Sequence, residues 1–207
     1  GGRKGTYFQF GLNMMELGKQ YGFNLSVYNS RGSVENVYAV YKRPRTQMGI
    51  VQSDVLAFVV KVKTNKTLKR IARKTKMVFP LYNEEIHLLG NGQILSFDDL
   101  EGKRVAIGKE GSGTFLTSML LFEVSGVKPM KTVAVGTEQA LEHLKNGEID
   151  AMFYVAGFPV KLFSESISGS KGLGLVPITN KSITEFYPNA EIPAGTYQVR
   201  ITLAGSK

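Results

Sequence analysis

The residues with the clearest capacity for chemistry lie in a glycine-rich turn at 108–113, followed directly by Thr114. The turn follows an apolar run at 104–107, which predicts a buried strand. It precedes Phe115, Met119 and Phe122, whose spacing i, i+4 and i+7 predicts one face of a helix. A helix start leaves several backbone N–H groups without partners and carries the positive end of the helix dipole. Together with the hydroxyls of Ser112 and Thr114, these donors favour an anion such as a carboxylate or a phosphate.

The glycine-rich turn by itself leaves a second interpretation open. It also fits a tight strand-to-helix connection in which Ser112 only caps the helix. It is not a P-loop, because no GKS or GKT follows the glycines, and it lacks the full G-x-G-x-x-G dinucleotide motif.

Thiol and imidazole chemistry has little support in the composition. The chain contains no cysteine, which excludes disulfides, thiolate catalysis and cysteine metal sites. His87 and His143 are far apart in the sequence, and neither has a second ligand at zinc-binding spacing. We therefore expect no metal site and no cofactor.

The net charge of +9 comes almost entirely from residues 61–76, the basic window. Without this window, which contains no Asp or Glu, the chain has 18 basic and 17 acidic residues. Its cations are Lys61, Lys63, Lys66, Lys69, Arg70, Arg73, Lys74 and Lys76. No aromatic residue lies among them, so stacking on nucleic-acid bases is not favoured. The window indicates either a solvated face or loop, or a docking patch for an acidic partner or an anionic membrane surface.

Strand and helix patterns alternate along the rest of the chain. Strands are predicted at 24–28, 48–51, 77–81, 86–89, 104–107, 131–135, 149–155 and 173–178. Apolar residues at helical spacing predict helices after Thr6 (Phe10, Met14, Leu17), after Ser33 (Val34, Val37, Tyr38, Tyr41) and after Ser53 (Val55, Phe58, Val59). Thr6, Ser33 and Thr137 are predicted to cap helices, Gly147 is predicted to end the helix that begins at Thr137, and Ser96 with Asp99 is predicted to form a capping box. The alternation predicts an α/β fold with open, largely parallel sheets, whose ligand crevice lies at the carboxyl ends of the strands.

Six sequence blocks between residues 5 and 197 carry a family likeness. They are GTYFQFG at 5–11, RGSVEN at 31–36, VQSDV at 51–55, LEGKRVAIGKEGSGT at 100–114, NGEIDAMFYVAGFP at 146–159 and IPAGTY at 192–197. As a set, the blocks resemble the solute-binding receptors of TRAP (tripartite ATP-independent periplasmic) transporters, specifically those of the TAXI subfamily.

The resemblance implies a two-lobed type II periplasmic-binding-protein fold with a ligand cleft between the lobes. Lobe I would comprise residues 1–93 and lobe II residues 94–185, and residues 186–207 would form a crossing segment that returns toward lobe I. A first strand, an export signal and the remainder of the crossing segment are expected to be missing from this sequence, so that the fold would be incomplete at both termini. The basic window is not a feature of the family.

The resemblance also implies a binding protein that is not an enzyme. The chain would capture a small organic anion, such as glutamate or a dicarboxylate, by closure of the two lobes, and a TRAP membrane permease would recognise the closed form in the periplasm. Two alternatives remain open: a phosphate- or carboxylate-handling transferase on the same fold, and a nucleic-acid-binding protein that uses the basic window.

Twelve residues of the polar turns form the expected ligand site. Ser112, Gly113 and Thr114 would bind a ligand carboxylate, and Tyr7 and Phe158 would supply apolar walls. Arg31 is either a countercharge for the ligand or a solvated loop arginine. The full set is Thr6, Tyr7, Arg31, Ser33, Asn36, Gln52, Ser53, Ser112, Gly113, Thr114, Gly157 and Phe158.

Overall fold

The structure, a computed structural model, describes residues 1–3, 5–61, 66–167 and 172–197. It divides the chain into two compact units. Unit 1 comprises Gly1–Leu81 with Gly111–Gly113, and unit 2 comprises Tyr82–Glu110 with Thr114–Lys207. These units do not coincide with the lobes expected at 1–93 and 94–185, and the lobe division stays a prediction. Lys63 of the basic window and residues 198–207 of the expected crossing segment lie outside the described residues.

A five-stranded sheet forms the centre of unit 2, and its strands follow the apolar runs of the sequence. The strands are β1 (Glu85–Asn91), β2 (Arg104–Ala106), β3 (Lys131–Val133), β4 (Ala151–Ala156) and β5 (Leu173–Leu175). Their order is β3-β2-β4-β1-β5. β2 is parallel to β3 and β4, whereas β1 is antiparallel to β4 and β5. The expectation of a largely parallel sheet is confirmed with one exception: β1 is antiparallel to both of its neighbours, because its connection to β2 has no crossover α-helix and the chain reverses direction.

Apolar side chains cover both faces of this sheet, because successive residues of a strand point to opposite faces. On β1, β2 and β4, one face carries Leu89, Ala106 and Met152, and the other carries Leu88, Val105 and Phe153. The first face packs against α6 (Thr137–Lys145) and α7 (Lys161–Ser166). The second packs against α5 (Gly113–Ser125), the 3-10 helix Phe97–Leu100 and α8 (Lys181–Thr184).

The buried face of α5 differs from the expected one. The sequence predicted a face of Phe115, Met119 and Phe122, but Met119 is 43% exposed. Phe122 is buried as predicted, and Leu121 and Thr117 are buried in place of Met119. The helix is apolar around most of its circumference, so spacing alone did not identify the side that faces the sheet.

An ion pair joins β2 to the residue that precedes β4. The guanidinium of Arg104 donates to both carboxylate oxygens of Asp150, at 2.8 and 3.0 Å, and the backbone N–H of Arg104 donates to the same carboxylate at 2.9 Å. These hydrogen bonds hold the pKa of Asp150 below its usual value. The pair therefore fixes the register of two adjacent parallel strands.

Four helices make up most of the described part of unit 1. They are α1 (Thr6–Gln20), α2 (Ser33–Lys42), α3 (Ser53–Lys61) and α4 (Lys66–Lys74). The first three are the helices that the apolar spacing predicts. The fourth lies in the basic window, where the sequence left a loop as one interpretation. Its residues are good helix formers without Gly or Pro, and Ile71 is buried on it.

Three of the expected strands are absent from the described residues of unit 1. The segments 24–28, 48–51 and 77–81 have no regular secondary structure and form no β-ladder. In the first of them, Leu25 and Val27 are half-buried while their neighbours are exposed, so the alternating pattern is present without the strand pairing. A strand needs a hydrogen-bonded partner, and none of the described segments pairs with these three. The strand predictions at these positions are therefore wrong.

Helix caps were predicted with mixed success. The N-cap residues of α1, α2 and α6 are Gly5, Gly32 and Gly136, one position before the predicted Thr6, Ser33 and Thr137. The capping box of Ser96 and Asp99 is confirmed. Gly147 follows the C-cap of α6 with φ of +72°, as expected for a glycine that ends a helix.

Candidate functional site

Ser33 and Gln52 form the buried polar centre of unit 1. Ser33 is the first residue of α2, and its hydroxyl accepts a hydrogen bond of 3.1 Å from the backbone N–H of Gln52. Both residues are buried, although both are polar. The bond joins the start of α2 to the residue before α3, and it therefore brings two of the polar turns together.

The end of the glycine-rich turn lies against this pair. A Cβ added to Gly113 would lie 1.5 Å from Oε1 of Gln52 and 3.0 Å from the Ser33 hydroxyl oxygen. A Cβ added to Gly32 would lie 3.0 Å from Cα of Ser112. Only glycine permits these approaches. Ser33, Gln52, Ser112 and Gly113 thus form one group, which we call the serine–glycine cluster.

An amide oxygen occupies a defined place in this cluster. Gly113 is the first residue of α5, and Oε1 of Gln52 lies where its Cβ would be. The first N–H groups of a helix have no partner within the helix, and the dipole makes this end favourable for an oxygen acceptor. The cluster therefore accommodates an oxygen acceptor at the start of α5.

Arg31 lies beside the same turn and is already paired. Its Nε donates to a carboxylate oxygen of Glu35 at 3.0 Å, and a Cβ added to Gly111 would lie 3.4 Å from this Nε. The backbone N–H of Arg31, and then its guanidinium, holds the pKa of Glu35 below its usual value. Glu35 therefore already pairs with Arg31, and a countercharge role of Arg31 toward a ligand stays a prediction.

Asn36 serves as a structural bridge in unit 1. Its side-chain N–H donates to the carbonyl of Ile50 at 2.7 Å, and its amide oxygen accepts from the Ser30 hydroxyl at 2.6 Å. Both ends of the amide are therefore engaged within the protein. A ligand-binding role for Asn36 stays a prediction.

The other expected site residues of unit 1 lie at helix starts. Thr6 and Ser53 are the first residues of α1 and α3, and both are exposed. Tyr7 is half-buried, with its side chain beside Gly1. Ligand contact by these three residues stays a prediction.

Three expected site residues belong to unit 2, where the structure gives them contacts of their own. The Thr114 hydroxyl accepts a buried hydrogen bond of 3.1 Å from the Val155 N–H. Gly157 lies against the Tyr82 ring, which a Cβ would approach to 3.1 Å. Phe158 is 39% exposed, and its N–H donates to the carboxylate of Glu85 at 3.2 Å. Thr114 therefore uses its hydroxyl to hold α5 against β4.

A buried histidine network in unit 2 was missed by the sequence analysis. His87 Nδ1 lies 3.0 Å from the carbonyl of Glu85, and its Nε2 lies 2.9 Å from the hydroxyl of Tyr197. The same hydroxyl accepts from the Val160 N–H at 2.7 Å. A carbonyl only accepts, so Nδ1 carries the proton and Nε2 accepts from Tyr197. Burial lowers the pKa of His87, which favours this neutral form. A single polar residue within the apolar run at 86–89 was the available signal.

Metal and membrane features are absent from the part of the chain that the structure describes. It contains no group of three or more His, Cys, Asp or Glu side chains arranged to hold a metal ion. Within the same residues, every helix is too short or too polar to cross a bilayer.

Residues 1–202 match the model of the NMT1-like family. The chain belongs to the NMT1-like family. Among solved structures, it is similar to the arginine-bound form of a truncated ArgBP from T. maritima, with 14% identity, 80% of this chain and 69% of that chain covered, and a TM-score of 0.51. It also matches an ancestral arginine-binding protein bound to glutamine, with 16% identity and a TM-score of 0.47; the match covers 84% of this chain and 68% of that chain.

A shorter match links this NMT1-like chain to the GluR0 ligand-binding core from Nostoc punctiforme in complex with L-glutamate. It has 26% identity, a TM-score of 0.35, and covers 47% of this chain and 42% of that one. The chain spans about two fifths of the length of several such structures. The fold class is nevertheless confirmed: the chain has the α/β fold of type II periplasmic binding proteins.

Proposed function

We propose that this NMT1-like protein is an extracytoplasmic solute-binding receptor for a small organic anion of the glutamate or dicarboxylate type. Membership of the family and the periplasmic-binding-protein fold support a binding role. The six sequence blocks support the finer assignment, a TAXI receptor that delivers its ligand to a TRAP membrane permease. The closure of two lobes that this assignment implies stays a prediction.

The serine–glycine cluster is the observation that carries the proposal. It combines a buried hydroxyl, a buried carboxamide and a closely approached glycine within unit 1, and none of these features is needed to fill an apolar core. Oε1 of Gln52 lies beside Gly113 in the position that a carboxylate oxygen would take. In our proposal the carboxamide turns aside, and the ligand carboxylate accepts hydrogen bonds from the backbone N–H groups of Ser112 and Gly113.

A thermal-shift and calorimetric screen tests this proposal. The ligands are glutamate, glutamine, arginine, succinate, 2-oxoglutarate and inorganic phosphate, with the unmodified chain. A carboxylate at about 100 times its dissociation constant should stabilise the native state by about 2.7 kcal/mol. Stabilisation by phosphate but by none of the carboxylates would contradict the proposal.

Substitution at Gly113 then locates the site. Gly113→Ala forces a methyl group into the space of the Gln52 carboxamide, and we expect it to abolish the carboxylate-induced shift. Gly136→Ala is the matched control, because a Cβ there meets nothing within 4 Å and the backbone has φ of −69°. We expect the double variant Gly113→Ala/Gln52→Ala to regain folded-state stability because the clash is removed. Carboxylate binding that survives in Gly113→Ala would place the site elsewhere.

A further inference from the structure

The exposed side of α4 carries a row of cations. Lys66, Lys69, Arg70, Arg73 and Lys74 follow the spacing i, i+3, i+4, i+7 and i+8, so they share one face of about 140° of the helix circumference. Four of them are exposed and Lys69 is half-buried. The helix packs against α2 and α3, and Ile71 is buried there. We call these five cations the basic face.

The charges of the basic face are not balanced by nearby acids. No Asp or Glu occurs between residues 61 and 76. Across the described parts of the chain, none of the five cations forms an ion pair, whereas other cations, such as Lys19 with Glu16 and Lys161 with Glu165, do. Five like charges on one helix face are mutually repulsive unless an external anion compensates them.

An exposed apolar segment follows the basic face in the sequence. Met77, Val78 and Phe79 are 81%, 72% and 53% exposed, and they begin three residues after α4 ends. Exposed apolar side chains are individually common, but a run of three next to a cationic helix is the composition of a segment that binds at a membrane interface.

We propose that the basic face and residues 77–79 together dock on an anionic phospholipid surface. The headgroup layer of such a bilayer supplies diffuse negative charge, and the acyl region beneath it accepts the apolar side chains. An acidic polypeptide without apolar side chains would match only the cations. This inference concerns a surface separate from the serine–glycine cluster and does not rest on the receptor assignment.

Vesicle sedimentation tests the docking surface. The unmodified chain is mixed with vesicles of equal parts phosphatidylglycerol and phosphatidylcholine, and with vesicles of phosphatidylcholine alone. We expect binding to the anionic vesicles only, and we expect it to weaken as the salt concentration rises. Each cation near an anionic surface contributes about fivefold to partitioning, so Arg70→Gln/Arg73→Gln/Lys74→Gln should bind roughly 100-fold more weakly.

A matched triple variant distinguishes the contribution of the basic face to vesicle binding from the contribution of the overall net charge. Lys128→Gln/Lys145→Gln/Lys181→Gln removes three exposed lysines of unit 2 and changes the net charge equally. We expect its vesicle binding to stay within a few fold of the unmodified chain. Met77→Ser/Phe79→Ser should weaken binding while its salt dependence is retained. Circular dichroism verifies that each variant is folded.

Three results would overturn the proposal. The first is no binding of the unmodified chain to anionic vesicles, a measurement that depends on no substitution. The second is equal weakening in the two glutamine triple variants, which would assign binding to overall charge. The third is binding to polyglutamate without binding to vesicles, which would assign the basic face to an acidic protein partner.

Discussion

The two units of this protein are organised by different kinds of interaction. Unit 2 has a sheet whose two faces are both covered by apolar side chains. Among the large apolar side chains of unit 1 whose burial the structure describes, the buried ones are Val37, Val55 and Ile71. Unit 1 also exposes many more of them: Leu17, Tyr21, Phe23, Tyr28, Tyr41, Met48, Met77, Val78, Phe79 and Leu81. Burial of apolar surface is the main favourable term in folding, so unit 2 should contribute most of the stability.

Polar contacts have the larger share in unit 1. The Ser33 hydroxyl and the Asn36 amide tie α2 to the segment at 50–52, and glycines allow the turns to approach closely. Each such hydrogen bond contributes about 1 kcal/mol net, far less than a buried aromatic side chain. Unit 1, which contains most of the turns that are expected to bind a ligand, is therefore also the unit with the smaller apolar core.

The strongest test of this comparison is Phe153→Ala in unit 2. Phe153 is buried on β4 and lies 5.7 Å from Phe122 and 6.1 Å from Phe97, measured between ring centroids. Removing its ring leaves a cavity in a closely packed core, so we expect the free energy of unfolding to fall by about 3–5 kcal/mol. Urea unfolding followed by circular dichroism measures the change.

The exposed Phe186 supplies the control for that experiment. Phe186→Ala should change the free energy of unfolding by less than about 0.5 kcal/mol, because most of this ring is already in water. Equal losses in the two variants would contradict the conclusion that burial of the Phe153 ring sets the cost.

A pair of valines compares the units directly. Val105 on β2 and Val55 on α3 are both almost fully buried. We expect Val105→Ala to cost about 2–3 kcal/mol, because closely packed strands cannot collapse into the space. Val55→Ala should lower the free energy of unfolding by about 1 kcal/mol, since the residues around Val55 are less closely packed and can move into the cavity. Hydrogen exchange should show that Val55→Ala lowers the protection of backbone amides in α2–α4 alone. Equal losses of the free energy of unfolding in the two valine variants would contradict the difference between the units.

The last expected effect is a pH dependence that belongs to unit 2. Burial lowers the pKa of His87, so between its folded value and about 6.5 the unfolded chain binds a proton that the folded chain does not. The free energy of unfolding should therefore fall as the pH drops below about 6.5, by up to about 1.4 kcal/mol per pH unit. The fall should level off below the folded-state pKa.

Urea unfolding between pH 7 and pH 5 isolates this effect. Carboxylates such as Asp150, whose pKa is lowered by the Arg104 guanidinium, lose their contribution only in more acidic solution. His87→Gln retains a donor and an acceptor but does not titrate, so its stability should be nearly flat over this range. An unchanged slope in His87→Gln would assign the pH dependence to other groups.

Several elements could be predicted because their causes are local. The spacing of Phe10, Met14 and Leu17 predicted α1, and the apolar runs predicted the strands of the sheet in unit 2. The polar turns around Ser33, Gln52 and Ser112 were expected to form one site, and the structure brings them together within unit 1. Whether they bind a ligand stays a prediction.

Other features could not be predicted because their causes are distant in the sequence. The alternating pattern at 24–28 is present, but pairing depends on a second strand that the pattern does not specify. Residues 66–74 of the basic window form a helix, and its side that faces α2 and α3 includes Ile71, a packing contact that charge alone does not indicate. Arg31 pairs with Glu35, only four residues further along the chain, and its role as a ligand countercharge stays a prediction.

The sequence by itself determined the features that a few neighbouring residues satisfy: helical periodicity, the Ser96 capping box, the glycine that ends α6 and the local origin of the net charge. The tertiary structure alone decided the approach of Gln52 to Gly113, the hydrogen bond from Tyr197 to His87 and the direction of β1. Local features depend on backbone geometry within one or two turns. Contacts between distant residues depend instead on chain closure and on the packing of side chains that no short pattern encodes.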